Sequence, residues 1–203
     1  MKLYSSPVAP SPRKVLIFIA EKGIENIEVE DLDIGKMEHK TPEYKEIAPN
    51  SRIPALVLDD GEVILETTAI CRYLECLNPE PNLFGTNPDE IAQIEMWYSR
   101  ISFELMMPLM HGFRHTHPHM SALEDQNNAF GLAQRELALK SMKYYDSVMD
   151  GKDFIACNKF SYADIQAVTS LQFLVRLNKI NIEDYENLSR YTNDIGSRPS
   201  FSA

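Results

Sequence analysis

The run Arg52-Ile53-Pro54-Ala55-Leu56-Val57-Leu58 puts a proline at the mouth of an apolar strand, and this restricts the chain more than any other stretch. Proline has no N–H to give a sheet ladder, so it is tolerated only where a strand starts or on a free edge, and the bond before it can be cis. Ile53 is then left with main-chain groups that face no neighbouring strand. Asp60-Gly61 follows as a hairpin turn, and Val63-Ile64-Leu65 returns as a second strand that runs straight into Glu66-Thr67-Thr68. A helix starting there presents N–H groups without intrahelical acceptors and the positive end of its dipole. A short peptide could pair its backbone at Ile53 and rest a carboxylate at Thr67, held at both ends.

The surrounding order supports a sheet domain. Lys2-Leu3-Tyr4 reads as a strand and Pro12 to Lys22 as a helix with Val15, Leu16, Ile19 and Ala20 on one face, stopped by Gly23. A half-exposed strand follows over 27–34, a short helix over 41–48, then the hairpin and a helix from Thr67 to about Leu77. This β-α-β-α-β-β-α order is that of a thioredoxin-like domain, and the right-handed crossover rule makes the first two strands parallel. Asn78-Pro79-Glu80-Pro81 and Gly85-Thr86-Asn87-Pro88 are dense in helix breakers, so the expected domains are 1–78 and 88–203, joined by a linker at 79–87. Beyond the linker the pattern is helical: one long helix from Pro88 to about Gly112 with a kink at Pro108, a second from Ser121 to Met149, and a third capped by Ser161 with Asp164. The fold class expected is an α/β thioredoxin-like N-terminal domain plus an all-α helical C-terminal domain.

Twenty basic against thirty acidic residues give a net charge of -10, which disfavours nucleic acid and anionic membrane surfaces as partners. No apolar run approaches the roughly 18 residues of a membrane span, and no leader-like segment opens the chain. Cys71, Cys76 and Cys157 form neither a disulfide framework nor a Cys-x-x-Cys pair, which suits a reducing, cytoplasmic setting.

Ile53-Pro54 with Glu66-Thr67, the Ser161-x-x-Asp164 cap and Arg198-Pro199-Ser200-Phe201 together resemble the soluble glutathione transferases over essentially the whole chain, in particular a bacterial member with a Ser/Asn-type active loop. The resemblance implies glutathione as co-substrate, a small hydrophobic electrophile as second substrate, and a homodimer. It assigns the cysteinyl backbone of glutathione to Ile53 and Pro54, the γ-glutamyl end to Glu66 and Thr67, and the glycine carboxylate to His39, Lys40 and Arg52. Met106, Met110, Phe113 and Arg114 would form a wall of the electrophile site.

The thiol must be held as its anion: lowering its pKa from about 8.5 to about 7 takes roughly 2 kcal/mol. A hydroxyl donor at a helix start could supply this, and Ser11 is the catalytic candidate, although Ser11 before Pro12 would also serve as a plain N-cap. Tyr4, Ser6 or a backbone N–H remain alternatives, and Ala9 stands where other classes place a serine. Glutathione-dependent disulfide reduction or peroxidase activity, and a non-catalytic binding role, are the alternative functions. No metal is expected, since Pro118 breaks the geometry of His111, His115, His117 and His119.

Overall fold

The computed structural model describes residues 1–202, the Leu174 side chain excepted. Strand β1 (Lys2–Ser5) alternates buried Leu3 and Ser5 with half-exposed Lys2 and Tyr4, as a strand covered on one face must. It pairs in parallel with β2 (Glu28–Asp31) and antiparallel with β3 (Ala55–Val57), and β3 pairs antiparallel with β4 (Val63–Leu65). The sheet order is β2-β1-β3-β4. The parallel β1–β2 pair agrees with the crossover rule. The β3–β4 turn is longer than two residues: Leu58 N–H donates to Glu62 O (2.8 Å), and Gly61 sits at φ +89°.

Helix α1 (Pro10–Lys22) starts two residues earlier than its sequence suggested, with Ala9 as N-cap. Pro10 fits the first helical position as well as Pro12 does, and Arg13 N–H donates to Ala9 O at 3.2 Å. Ser11 therefore lies inside the first turn and does not cap it. The buried face is also rotated from the expected one, comprising Lys14, Val15, Ile17, Phe18 and Lys22, with Ala20 exposed. Gly23 ends the helix at φ +62°, where a left-handed residue is needed. Lys22 Nζ meets Glu75 Oε2 at 2.5 Å and donates to Asn78 O at 2.7 Å. That buried pair joins α1 to α3 (Thr67–Leu77). Helix α2 (Pro42–Ile47) is capped by Thr41 Oγ1, which accepts from Tyr44 N–H (3.3 Å).

The chain divides into two compact units, one ending at Leu83 and the other running from Phe84 to Arg198. The short helix Pro199–Ser202 belongs with the first unit. There the Arg13 guanidinium donates to Phe201 O, and Ser200 Oγ donates to Glu21 Oε1 (2.5 Å).

In the second unit α4 (Pro88–Ile101) is capped by Asn87 Oδ1, which accepts from Glu90 N–H at 3.0 Å. A widened π turn (Ser102–Met106) then leads into α5 (Met107–Thr116). The expected kink at Pro108 is thus a widened turn, which accommodates a residue lacking an N–H and crowding the carbonyl four residues back. The helix also continues past Gly112. Helix α6 (Asn128–Val148) begins seven residues later than expected: Asn127 Oδ1 accepts from Phe130 N–H (3.0 Å), and Ser121 lies in a turn.

Every residue of α7 (Tyr162–Ser170) is buried. Its start is the expected capping box: Asp164 Oδ2 accepts from Ser161 N–H and Oγ (2.9 Å each), while Oδ1 accepts from Ile155 N–H (2.9 Å) and Tyr191 OH (2.7 Å). Burial pushes the Asp164 carboxyl up, and these donors oppose it. Tyr191 lies on α8 (Glu186–Gly196).

Candidate functional site

In the first unit Ser11, Asn50, Arg52, Ile53, Pro54, Glu66 and Thr67 line an open cleft of about 350 Å³. The first turns of α1 and α3 meet there, and Thr67 Oγ1 donates to Ser11 O at 3.4 Å. Both helices direct the positive ends of their dipoles to the same place.

The α1 end is unusual in its donors. Pro10 and Pro12 have no N–H, and Arg13 N–H is taken by Ala9 O. The first turn therefore presents the Ser11 N–H and the Ser11 hydroxyl, side by side. At α3 the N-cap is Glu66, held at φ +72° and ψ +124°, a conformation rare for a side-chain-bearing residue. Its carbonyl accepts from Ile70 N–H (3.0 Å), and its exposed carboxylate stands beside the helix end. A carboxylate resting on the α3 terminus and an ammonium group on Glu66 are complementary to this pair, so it suits an α-amino acid end.

Ile53-Pro54 is cis. The loop before it is fixed by several bonds: Asn50 Oδ1 accepts from Arg52 N–H (3.1 Å), Ser51 N–H donates to Ala48 O (2.8 Å), and Tyr44 OH donates to Arg52 O (2.8 Å). Tyr44 is 3% exposed and packs edge-on against Tyr4, with ring centroids 5.5 Å apart. Burial pushes its phenol up to about 12, so it stays protonated and remains a donor across the physiological range.

Of the residues singled out in the sequence, Ser11, Arg52, Ile53, Pro54, Glu66 and Thr67 converge on this cleft. His39 and Lys40 are absent from its lining and sit on the single turn Glu38–Lys40, where burial, with the charge of Lys40, pushes the His39 imidazole down. Tyr4 and Ser6 are absent as well: Tyr4 stacks on Tyr44, and Ser6 is 2% exposed. Asn50 lines the cleft unforeseen; its Asx-type bond to Arg52 N–H, just before Ile53-Pro54, is the signal that could have found it.

In the second unit Met106 Sδ accepts from Gln166 Nε2 (3.0 Å), Phe113 lies against His117 (4.8 Å between centroids), Arg114 Nε meets Glu124 Oε1 at 2.7 Å, and Met110 is half-buried. None of the four lines that unit's own cleft, at Thr116–Pro118 and Leu177–Lys179. Among the described residues no group of three or more His, Cys, Asp or Glu side chains is arranged to hold a metal ion. No described helix is long and apolar enough to cross a membrane.

Residues 8–77 match the model of the glutathione S-transferase N-terminal domain, and 98–199 match that of the glutathione S-transferase C-terminal domain. Glutathione S-transferase 2 of Saccharomyces cerevisiae is 34% identical over 203 residues, covering 98% of this chain and 87% of that protein. The chain belongs to the glutathione S-transferase family. The crystal structure of Gtt2 from Saccharomyces cerevisiae superposes with a TM-score of 0.89 at 33% identity, covering 100% of this chain and 99% of that one. A glutathione S-transferase of class Gtt2 from Vibrio parahaemolyticus gives 0.86 at 30% identity, covering 100% and 96%. The expected family and fold class are thus met: a glutathione S-transferase with a mixed four-stranded sheet in its N-terminal part and helices in its C-terminal part.

Proposed function

We propose that the cleft of the first unit binds glutathione and activates its thiol for attack on a small hydrophobic electrophile. The observation that carries this reading is the meeting of the cis Ile53-Pro54 loop, the α3 terminus and the donors of Ser11 in one cleft. Each matches one part of the tripeptide. The γ-glutamyl carboxylate rests on the Thr67 helix end and its ammonium on Glu66. The cysteinyl backbone pairs with Ile53, and the glycine carboxylate meets Arg52, whose forked guanidinium suits it. The sulfur then points at Ser11.

The Ser11 hydroxyl donates to the thiolate, while the adjacent N–H and helix dipole add positive potential. One hydrogen bond to a charged acceptor, about 1.5–3 kcal/mol, is of the size needed to bring the thiol pKa from about 8.5 to about 7. The thiol proton leaves to solvent, the sulfur lone pair forms the C–S bond, and the leaving group departs with its electron pair. Positioning and electrostatics supply the rate, with no covalent enzyme intermediate. Met106, Met110 and Phe113 provide apolar surface for the electrophile, and the family resemblance adds a homodimer and a cytoplasmic setting to the proposal.

Two measurements test it. Calorimetry should detect glutathione at millimolar concentration, and no heat of binding would overturn the assignment. In Ser11→Ala the thiol pKa of bound glutathione, followed by ultraviolet titration, should rise by about one unit or more. An unchanged titration would take the hydroxyl out of the mechanism and leave the Ser11 N–H as activator.

A further inference from the structure

We propose that Gln166 is a positioning residue for the electrophile: its side-chain amide clamps the widened turn Ser102–Met106 and so sets the apolar surface that Met106, Met110 and Phe113 present. This role rests on the proposed function, in which those three side chains receive the electrophile. Gln166 lies in α7 and is 1% exposed. Its Nε2 donates to Ser102 Oγ and to Met106 Sδ, at 3.0 Å each. Ser102 is the first residue of the turn and Met106 the last, so one NH2 group ties its two ends together. The tie continues into α4, because Ser102 Oγ in turn donates to Tyr98 O at 2.7 Å.

The turn decides where the side chains after it point. Met107 N–H donates to Ser102 O, five residues back, where a regular helix would reach four back to Phe103 O. A π turn amounts to one extra residue, or about 100° of rotation about the helix axis. Relaxation to α geometry would therefore swing Met110 and Phe113 by that angle relative to α4. The middle of the turn is held separately: Glu104 accepts from Arg100 Nε (3.1 Å), Arg100 Nη2 (3.2 Å) and Tyr145 OH (2.9 Å).

Methionine is ordinarily adaptable, with an unbranched chain that refills whatever space it is given. A hydrogen bond on its sulfur holds Met106 in one conformation. A fixed surface discriminates between electrophiles by shape, whereas a loose one re-packs around each. Burying the Gln166 amide costs its hydration, and a methionine of similar length would fill the same space without that loss. The amide is itself placed by rigid neighbours: Asp164, two residues earlier, closes the capping box, and Ser170 Oγ donates to Gln166 O at 2.7 Å.

The test is calorimetry on the full chain with two ligands, glutathione and S-hexylglutathione, whose alkyl chain extends from the sulfur. The ratio of their affinities reads the apolar surface without any turnover. In Gln166→Met the affinity for S-hexylglutathione should fall about fivefold, while that for glutathione stays within about twofold. Met106→Leu keeps the apolar volume, removes the acceptor and should lose about as much; because Met106 is only half-buried, it tests the same bond should the α7 variant fail to fold. Gln166→Met added to Met106→Leu should weaken S-hexylglutathione by less than about twofold more. Conjugation of a chloronitroarene should follow the same split, with its KM raised and the KM for glutathione unchanged. An unchanged affinity ratio, an equal loss for both ligands, or two losses that simply add would each overturn the role of Gln166 and leave glutathione binding standing. Wild-type protein that binds S-hexylglutathione no tighter than glutathione would take Met106 out of the electrophile surface, and the role of Gln166 with it. Wild-type protein that binds neither ligand would overturn the proposed function itself.

Discussion

Lys14 sits on the core face of α1 with 3% of its surface exposed. Burial pushes its ammonium from the ordinary 10.5 down to about 8, opposed in part by the charge Cys71 would carry as a thiolate. Between pH 8 and 10.5 the unfolded chain therefore holds a proton that the folded chain has released, and stability rises with pH through that window. The 10.5 to about 8 interval, at 1.36 kcal/mol per pH unit, makes the buried charge cost about 3 kcal/mol at neutral pH. Lys14→Met keeps the length of the side chain and removes the charge. Urea unfolding at pH 7 should show the variant more stable by up to about 3 kcal/mol, with the gain shrinking toward zero as pH approaches 10. The difference between the two curves isolates Lys14, because the tyrosines titrate alike in both. Since Lys14 does not line the cleft that Ser11 lines, glutathione affinity should not change. A difference that is flat from pH 7 to 10, or a less stable variant at pH 7, would refute the reasoning.

Tyr44→Phe removes the donor that holds Arg52 O; a neutral hydrogen bond is worth about 1 kcal/mol, so the KM for glutathione should rise roughly fivefold while kcat and the bound thiol pKa stay put. Asp164→Asn retains shape but turns an NH2 group toward donors whichever way the amide is flipped, because both carboxylate oxygens accept two hydrogen bonds; urea unfolding should show a loss of about 3 kcal/mol. Gly131→Ala would place a Cβ 2.7 Å from Thr116 Cγ2 and 2.9 Å from His115 Cβ, so the α5–α6 contact should lose about 1–3 kcal/mol in thermal unfolding.

Features encoded by a single residue's chemistry were readable in the sequence. Ser161 caps the helix it was expected to cap, Gly23 ends α1, and Pro54 opens β3 after a cis bond. Positions with two equivalent local solutions were misread. Pro10 and Pro12 both suit a first turn, and the structure uses the earlier one, which moves Ser11 from cap to first-turn donor. Ser121 and Asn127 are both good caps, and α6 uses the later. The cleft itself was largely legible because its parts are local signals on short segments, at Ile53-Pro54 and Glu66-Thr67. The absence of His39 and Lys40 from its lining depends on how one turn packs, which spacing does not encode. The role of Tyr44 was hidden for the same reason: an aromatic on a short helix reads as core until its hydroxyl is seen to reach the Arg52 carbonyl.

The first unit is discontinuous in sequence: the helix Pro199–Ser202 packs on α1 through Arg13–Phe201 and Glu21–Ser200. During synthesis residues 1–83 emerge long before this segment exists, so those contacts close only after the whole of 84–198 has been translated. A ribosome-stalled chain truncated before Pro199 would therefore lack both contacts, and the first unit, although it opens the sequence, would be completed only after the second has been made.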